Sequence, residues 1–218
     1  MTYHILTIFP QIFDSYFNET IIKRAREKNI ISINPVDIRN FTTDKHRTVD
    51  DKPYGGGAGM VMKPNPIYEA LSSLKLKSKK KKIILLTPAG KKFDQRAARR
   101  LSKYDELIFI CGRYEGIDAR IEKFVDEKIS IGDYVLTGGE LPAMVIIDAV
   151  TRLLPGVLGN IESPKEESHS DEGVMEYPQY TRPEIFEAAG KKLKVPKILL
   201  SGDHKKIEEW RRGKMMER

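Results

Sequence analysis

Three stretches of this chain place glycine beside polar and aromatic residues at the ends of apolar runs: TPAGKKF (87–93), CGRYEGID (111–118) and SIGDYVLTGGELPA (130–143). A glycine doublet such as Gly138-Gly139 lets the main chain turn through positive φ and lets a ligand lie directly against peptide groups. No Lys or Arg stands in 130–143, so this turn suits a flat, neutral ligand better than a phosphate. A Gly-Gly taken alone is ordinary turn punctuation. Three glycine-bearing loops, each following a β-type run, describe a site.

The elements that must position these loops read as alternating strands and helices. Strands are expected at 3–8, 31–38, 83–86 and 107–111, and helices at 10–28, 66–74, 94–102, 118–125 and 141–154. The runs 83–86 and 107–111 are continuously apolar, as in strands covered on both faces. Asp94 is the expected N-cap of its helix. Such alternation predicts an α/β fold with a parallel sheet. Ligands in these sheets gather at the carboxyl ends of the strands, so all three loops belong at one rim.

Residues 40–60, NFTTDKHRTVDDKPYGGGAGM, have no periodicity, and a loop this long inside a domain is commonly functional. It contains neither GxxxxGK[ST] nor a strand-to-helix GxGxxG, which argues against a nucleotide hydrolase or a dinucleotide enzyme. His46 lacks partners at metal-ligand spacing. The single cysteine, Cys111, excludes an internal disulfide, and its place after Ile108-Phe109-Ile110 suits a buried strand residue better than a nucleophile.

The formal charge of +7 is concentrated: eleven Lys or Arg fall within 75–100 against one acid, Asp94. That is the footprint of a polyanion partner such as nucleic acid. Within it the lysines of 77–82 read as a solvated connection, and Arg96, Arg99 and Arg100 as the better phosphate contacts. Charged residues interrupt every long apolar run, so neither a signal peptide nor a membrane span is expected, and the chain reads as cytoplasmic. Beyond Pro155 the texture turns polar and aperiodic. The expected organisation is an α/β domain at 1–160, a flexible linker at 161–180 and a small helical domain at 181–218, with Asp203 as an N-cap.

The segments HRTVDDKPYGGGAGM (46–60), CGRYEGID (111–118), SIGDYVLTGGELPA (130–143), RLLPGVLGN (152–160) and EYPQYTRPE (176–184) resemble the bacterial tRNA (guanine-37-N1)-methyltransferases. These belong to the SPOUT class of trefoil-knotted, S-adenosylmethionine-dependent enzymes, and the resemblance runs in register to about Trp210. It implies a deep knot over 82–154, a rare exception to unknotted topology. It also implies a homodimer in which each active site is shared between one subunit's knot and the other's small domain. The partner would be the anticodon stem-loop of tRNA, with a guanine preferred before the target base, rather than DNA or a membrane.

The methyl donor would lie among Leu86, Thr87 and Pro88, then Gly112, Tyr114, Glu115 and Gly116. The third loop would add Ser130, Ile131, Gly132, Asp133, Tyr134, Val135, Leu136, Gly138, Gly139 and Pro142. Backbone groups near Ile131, Tyr134 and Leu136 would read the adenine. Substrate contacts map onto Arg47, Gly57, Gly59, Tyr114, Tyr180 and Arg182. Methylating guanine N1 requires a base for its proton and positive charge near O6; the resemblance gives these roles to Glu167 and Arg152. The family usually has aspartate where this chain has Glu167-Ser168-His169, and Asp171 is the alternative base. Many relatives also continue with another helix where this chain ends, soon after Trp210. The role of Mg²⁺ stays open, with Glu115 the nearby carboxylate. Two other readings remain: a SPOUT enzyme acting on another RNA base, and a non-catalytic RNA-binding homologue.

Overall fold

The computed structural model describes residues 1–158 and 174–217. The chain divides into two compact units, Met1–Gly159 and Asn160–Arg218. In the first, β1 (Thr2–Thr7), α1 (Thr20–Glu27), β2 (Ser32–Asp37), α2 (Pro64–Ser72), β3 (Lys81–Lys92), α3 (Gln95–Leu101), β4 (Glu106–Cys111), β5 (Glu127–Ser130) and α4 (Glu140–Thr151) follow in order. Their strands form one sheet, β2-β1-β4-β3-β5, with every pairing parallel.

Strand β4 shows why the sheet sits where it does. All six of its residues are buried, and successive side chains feed opposite faces. Leu107, Phe109 and Cys111 join one core with Tyr3, Phe17, Ile22, Ile146 and Ile147. Ile108 and Ile110 join the other with Leu6, Ile38, Met62 and Ile67. Helices α1, α3 and α4 therefore pack on the first face and α2 on the second. Burial of one such side chain contributes about 1.5–3 kcal/mol, so this central strand is a main anchor of the fold.

Strand β3 is irregular where it matters. Leu86 and Lys91 both pair with Ile129 of β5, so the four residues between them loop out of the strand before it resumes. Gly90 makes this return feasible, because a Cβ there would lie 2.5 Å from the Ile129 main-chain nitrogen and carbonyl carbon.

Several helical expectations need correction. The segment 10–28 is not one helix: Pro10–Phe13 is a 3-10 turn and Asp14–Phe17 a single turn, and the chain breaks at Glu19 (extended) and at Thr20 (φ 53), the first residue of α1. Arg26 stabilises the break by donating from Nη1 to the Phe17 carbonyl at 3.1 Å and to Asn18 Oδ1 at 2.7 Å. Residues Ala119–Phe124 form a 3-10 helix, started by the Asp118 carboxylate accepting the Arg120 N–H. Asp94 does cap α3, accepting the Ala97 N–H at 2.7 Å.

The second unit is not uniformly helical either. β7 (Ile185–Ala188) and β8 (Lys191–Lys194) form an antiparallel hairpin around Ala189 (φ 47) and Gly190 (φ 71). Two adjacent positive-φ residues twist a two-residue turn to match its strands, which a helix cannot accommodate. The one longer helix described in this unit is α5 (His204–Arg212), capped by Asp203, which accepts the Lys206 N–H. A two-residue strand β6 (Val174–Met175) pairs with β9 (Met216–Glu217). Among the described residues no helix is long and apolar enough to cross a membrane.

Candidate active site

Beside the bulge of β3 and the carboxyl ends of β4 and β5 the three glycine loops enclose a cavity of about 390 Å³. The bulge of β3 supplies Leu86, Thr87 and Pro88; the loop after β4 supplies Gly112, Tyr114, Glu115 and Gly116. The stretch after β5 supplies Ser130, Ile131, Gly132, Tyr134, Val135, Leu136, Gly138 and Gly139, and α4 adds Pro142. Asp133 departs from the sequence assignment: it is exposed, does not line the cavity and pairs with Lys92 outside it. Ser130 shapes its loop by donating from Oγ to the Gly132 carbonyl at 3.0 Å.

The walls are joined by main-chain hydrogen bonds. Gly139 N–H donates to the Gly112 carbonyl at 2.9 Å, and Arg113 and Gly138 form an antiparallel bridge. On the other side Glu115 N–H reaches the Met60 carbonyl at 3.0 Å, and Met62 N–H reaches the Gly116 carbonyl at 2.9 Å. The 112–118 loop is thus held between the end of the 40–60 loop and the glycine doublet. Gly139 is bare for a protein reason: a Cβ there would lie 2.7 Å from Cys111 Cα.

Behind the cavity sits a polar cluster that the sequence did not single out. Glu140, fully buried at the first turn of α4, accepts from Thr7 Oγ1 at 2.7 Å and from Arg113 Nε at 2.9 Å. Arg113 also lies 4.7 Å over the Phe9 ring and donates to Thr137 Oγ1 at 3.4 Å. The carboxylate is further favoured by the helix N-terminus it occupies. Its signal in the sequence was an acid at the head of a predominantly apolar helix, directly after Gly-Gly. Burial, reinforced by the Glu140 charge, pushes the neighbouring Cys111 thiol well above its ordinary range. Cys111 is therefore an inert core residue.

The residues assigned to substrate fall in separate places. Gly59, at φ 78, packs against the Glu115 side chain, and Tyr114 is half exposed at φ 59. Arg47 (φ 52) and Gly57 (φ 123) are exposed in the 40–60 loop. Arg152 is half-buried and ends α4, its N–H donating to the Asp148 carbonyl at 3.2 Å. In the second unit Tyr180 meets Trp210 with ring centroids 6.3 Å apart, and Arg182 is exposed. Glu167 and Asp171 lie outside the described residues. Among the described residues no group of three or more His, Cys, Asp or Glu could hold a metal ion.

The model of the tRNA (guanine-1)-methyltransferase TrmD family matches residues 1–218, the whole chain. The chain belongs to this family. A tRNA (guanine-N(1)-)-methyltransferase of Dictyoglomus turgidum is 54% identical over 98% of this chain and 84% of its own length. That of Carboxydothermus hydrogenoformans is 56% identical over 97% and 81%, and that of Clostridioides difficile 53% identical over 97% and 91%. As a member of the tRNA (guanine-1)-methyltransferase family the protein is a methyltransferase. Two of the three loops that enclose the cavity, 111–118 and 130–143, are among the segments that carried the family resemblance.

Proposed function

We propose that the protein transfers the methyl group of S-adenosylmethionine to N1 of guanine-37 in tRNA, 3′ to the anticodon, with a preference for a preceding guanine. The observation that carries this reading is a cavity at the sheet rim lined by three glycine-bearing loops, within a chain that matches the family along its full length.

The cavity fits the donor's chemistry. Its one guanidinium, Arg113, is engaged by Glu140, so the space accepts a flat neutral base without a competing cation. Main-chain groups near Ile131, Tyr134 and Leu136 would hold the adenine. Glu115 lines the cavity and would face the cationic part of the ligand; it is also the carboxylate that Mg²⁺ would use. Bound S-adenosylmethionine supplies an electrophilic methyl group on a sulfonium.

The protein's own residues manage the proton and the charge. Guanine N1 is protonated at neutral pH, so a carboxylate must accept that proton, the role assigned to Glu167. Charge that builds on O6 is offset by the guanidinium of Arg152. The irregular β3, whose bulge crosses Ile129 and rejoins it, together with the hydrogen bond locking 139 to 112, supports a knotted path over 82–154. Leu141 and Val145, exposed one turn apart on α4, support a homodimer. The cytoplasm, where tRNA is modified, is the fitting compartment. Nuclease digestion of unmodified tRNA treated with enzyme and labelled donor tests the reading. It should yield 1-methylguanosine from position 37; N2-methylguanosine, or label elsewhere, would overturn it.

A further inference from the structure

The lysine run lies at the other end of the sheet from the cavity. Residues 75–82 carry Lys75, Lys77, Lys79, Lys80, Lys81 and Lys82 and no acid. All but Lys82 are exposed, and among the described residues none of the six has an ion-pair partner. Lys81 pairs beside Glu106, five residues before Leu86 at the cavity, so the run lies about 16 Å away along β3.

A connection that merely solvates the surface needs no fixed shape, and the sequence suggested only that. This one is bracketed. Glu106, 6% exposed, accepts from the Lys77 and Ser78 N–H groups on Oε1 at 2.7 and 2.6 Å, and its Oε2 lies 3.3 Å from His4 Nε2. Ser78 Oγ donates to Asp105 Oδ2 at 2.6 Å and accepts from Lys80 N–H at 2.9 Å, while Asp105 N–H donates to the Lys80 carbonyl at 2.9 Å. Leu74 and Leu76 pack against the second core. Burying a carboxylate opposes folding unless its acceptors are filled. Here they are filled by the loop that carries the cations, so like charges that repel are held together in one place. An arrangement of that kind is stabilised by a polyanion.

We propose that this bracketed loop is a second, sequence-independent RNA contact, which takes backbone phosphates of the tRNA remote from the base being methylated. RNA is favoured over an anionic membrane because Leu76, the one leucine of the run, and Leu74 just before it pack against the core. Surface binding to lipid draws on apolar insertion as well as charge. The inference rests on the reading of tRNA as substrate, yet the two fail separately: transfer at saturating tRNA reports the reaction, and salt dependence of binding reports the loop.

The test uses the full chain with Lys77, Lys79, Lys80 and Lys81 all changed to Gln, beside a variant with all four changed to Arg. Affinity for unmodified tRNA is measured across a salt series. The Gln variant should bind roughly ten- to a hundredfold more weakly at low salt. The magnitude of its log–log salt slope should fall by about 3, for four phosphate contacts at about 0.7–0.9 each. Its kcat at saturating tRNA should be unchanged, and the Arg variant should restore binding. Unchanged affinity and slope in the Gln variant would overturn the proposal, as would equal weakening in both variants. Wild-type binding to phosphatidylserine–phosphatidylcholine vesicles that the Gln variant loses, with tRNA affinity intact, would overturn it in favour of a lipid surface.

Discussion

Arg113 Nε donates to Oε2 of the fully buried Glu140 at 2.9 Å, tying the loop after β4 to the helix that follows the glycine doublet. The bond fixes two of the cavity's three walls to each other. Thr7 Oγ1 fills the second carboxylate oxygen, so the pair is fully satisfied only when β1, β4 and α4 are all in place.

Removing one member of a buried pair leaves an uncompensated charge, at a cost of about 3–5 kcal/mol. Arg113→Ala should therefore destabilise far more than Arg120→Ala, since Arg120 is itself exposed and its Asp118 partner is only half-buried. Glu140→Gln keeps the shape and a Thr7 acceptor and should cost less than Arg113→Ala. Urea melts of the single and double variants give the coupling. A near-zero coupling energy would show that the contact does not hold the walls together.

Cys111 should resist alkylation at pH 8 in the folded protein and react once unfolded, since burial keeps the thiol protonated. Labelling that precedes unfolding would contradict the burial assigned to the end of β4.

Much of this was legible because its causes are local. The apolar runs 83–86 and 107–111 announced buried parallel strands, and Asp94 and Asp203 announced helix starts through their short carboxylates. The three loops could be grouped because ligand sites follow strand polarity. The Thr7–Glu140–Arg113 cluster was not legible, since its members are up to 133 residues apart and only the fold brings them together. The hairpin at Ile185–Lys194 was hidden for another reason: exposed strands carry no buried stripe, and positive φ at Ala189 is not a residue preference. Asp133 sits within a motif that does face the cavity, but its own side chain turns out to Lys92.

The loop bracket has a signature in acid. Burial pushes the Glu106 carboxyl up, but the Ser78 and Lys77 N–H donors and His4 more than reverse this, and it lies below its ordinary value of 4.5. The unfolded chain therefore takes up this proton first as the pH falls. The stabilisation is complete above about pH 4.5 and drains away as the pH drops through the folded value. Glu106→Gln should flatten that part of the stability curve. A variant whose acid limb overlays the wild type would show that the carboxylate does not hold the loop.

The base assignment separates two carboxylates close in sequence. Glu167→Gln should cut single-turnover transfer by roughly two to four orders of magnitude, the usual worth of a positioned base, with donor and tRNA affinity little changed. Asp171→Asn should be mild. The reverse pattern would move the base to Asp171.

The claim on which the rest depends is that the cavity between the three glycine loops holds the methyl donor. Calorimetric titration of S-adenosylmethionine without RNA tests it most directly, using wild type and Gly138→Ala, whose added methyl would meet Arg113 and Glu140. The account predicts binding to the wild-type chain, competed by S-adenosylhomocysteine. Affinity should fall roughly tenfold or more, about 1.4 kcal/mol, in a variant that remains folded by circular dichroism. No binding to the wild type, or undiminished affinity in Gly138→Ala, would contradict it.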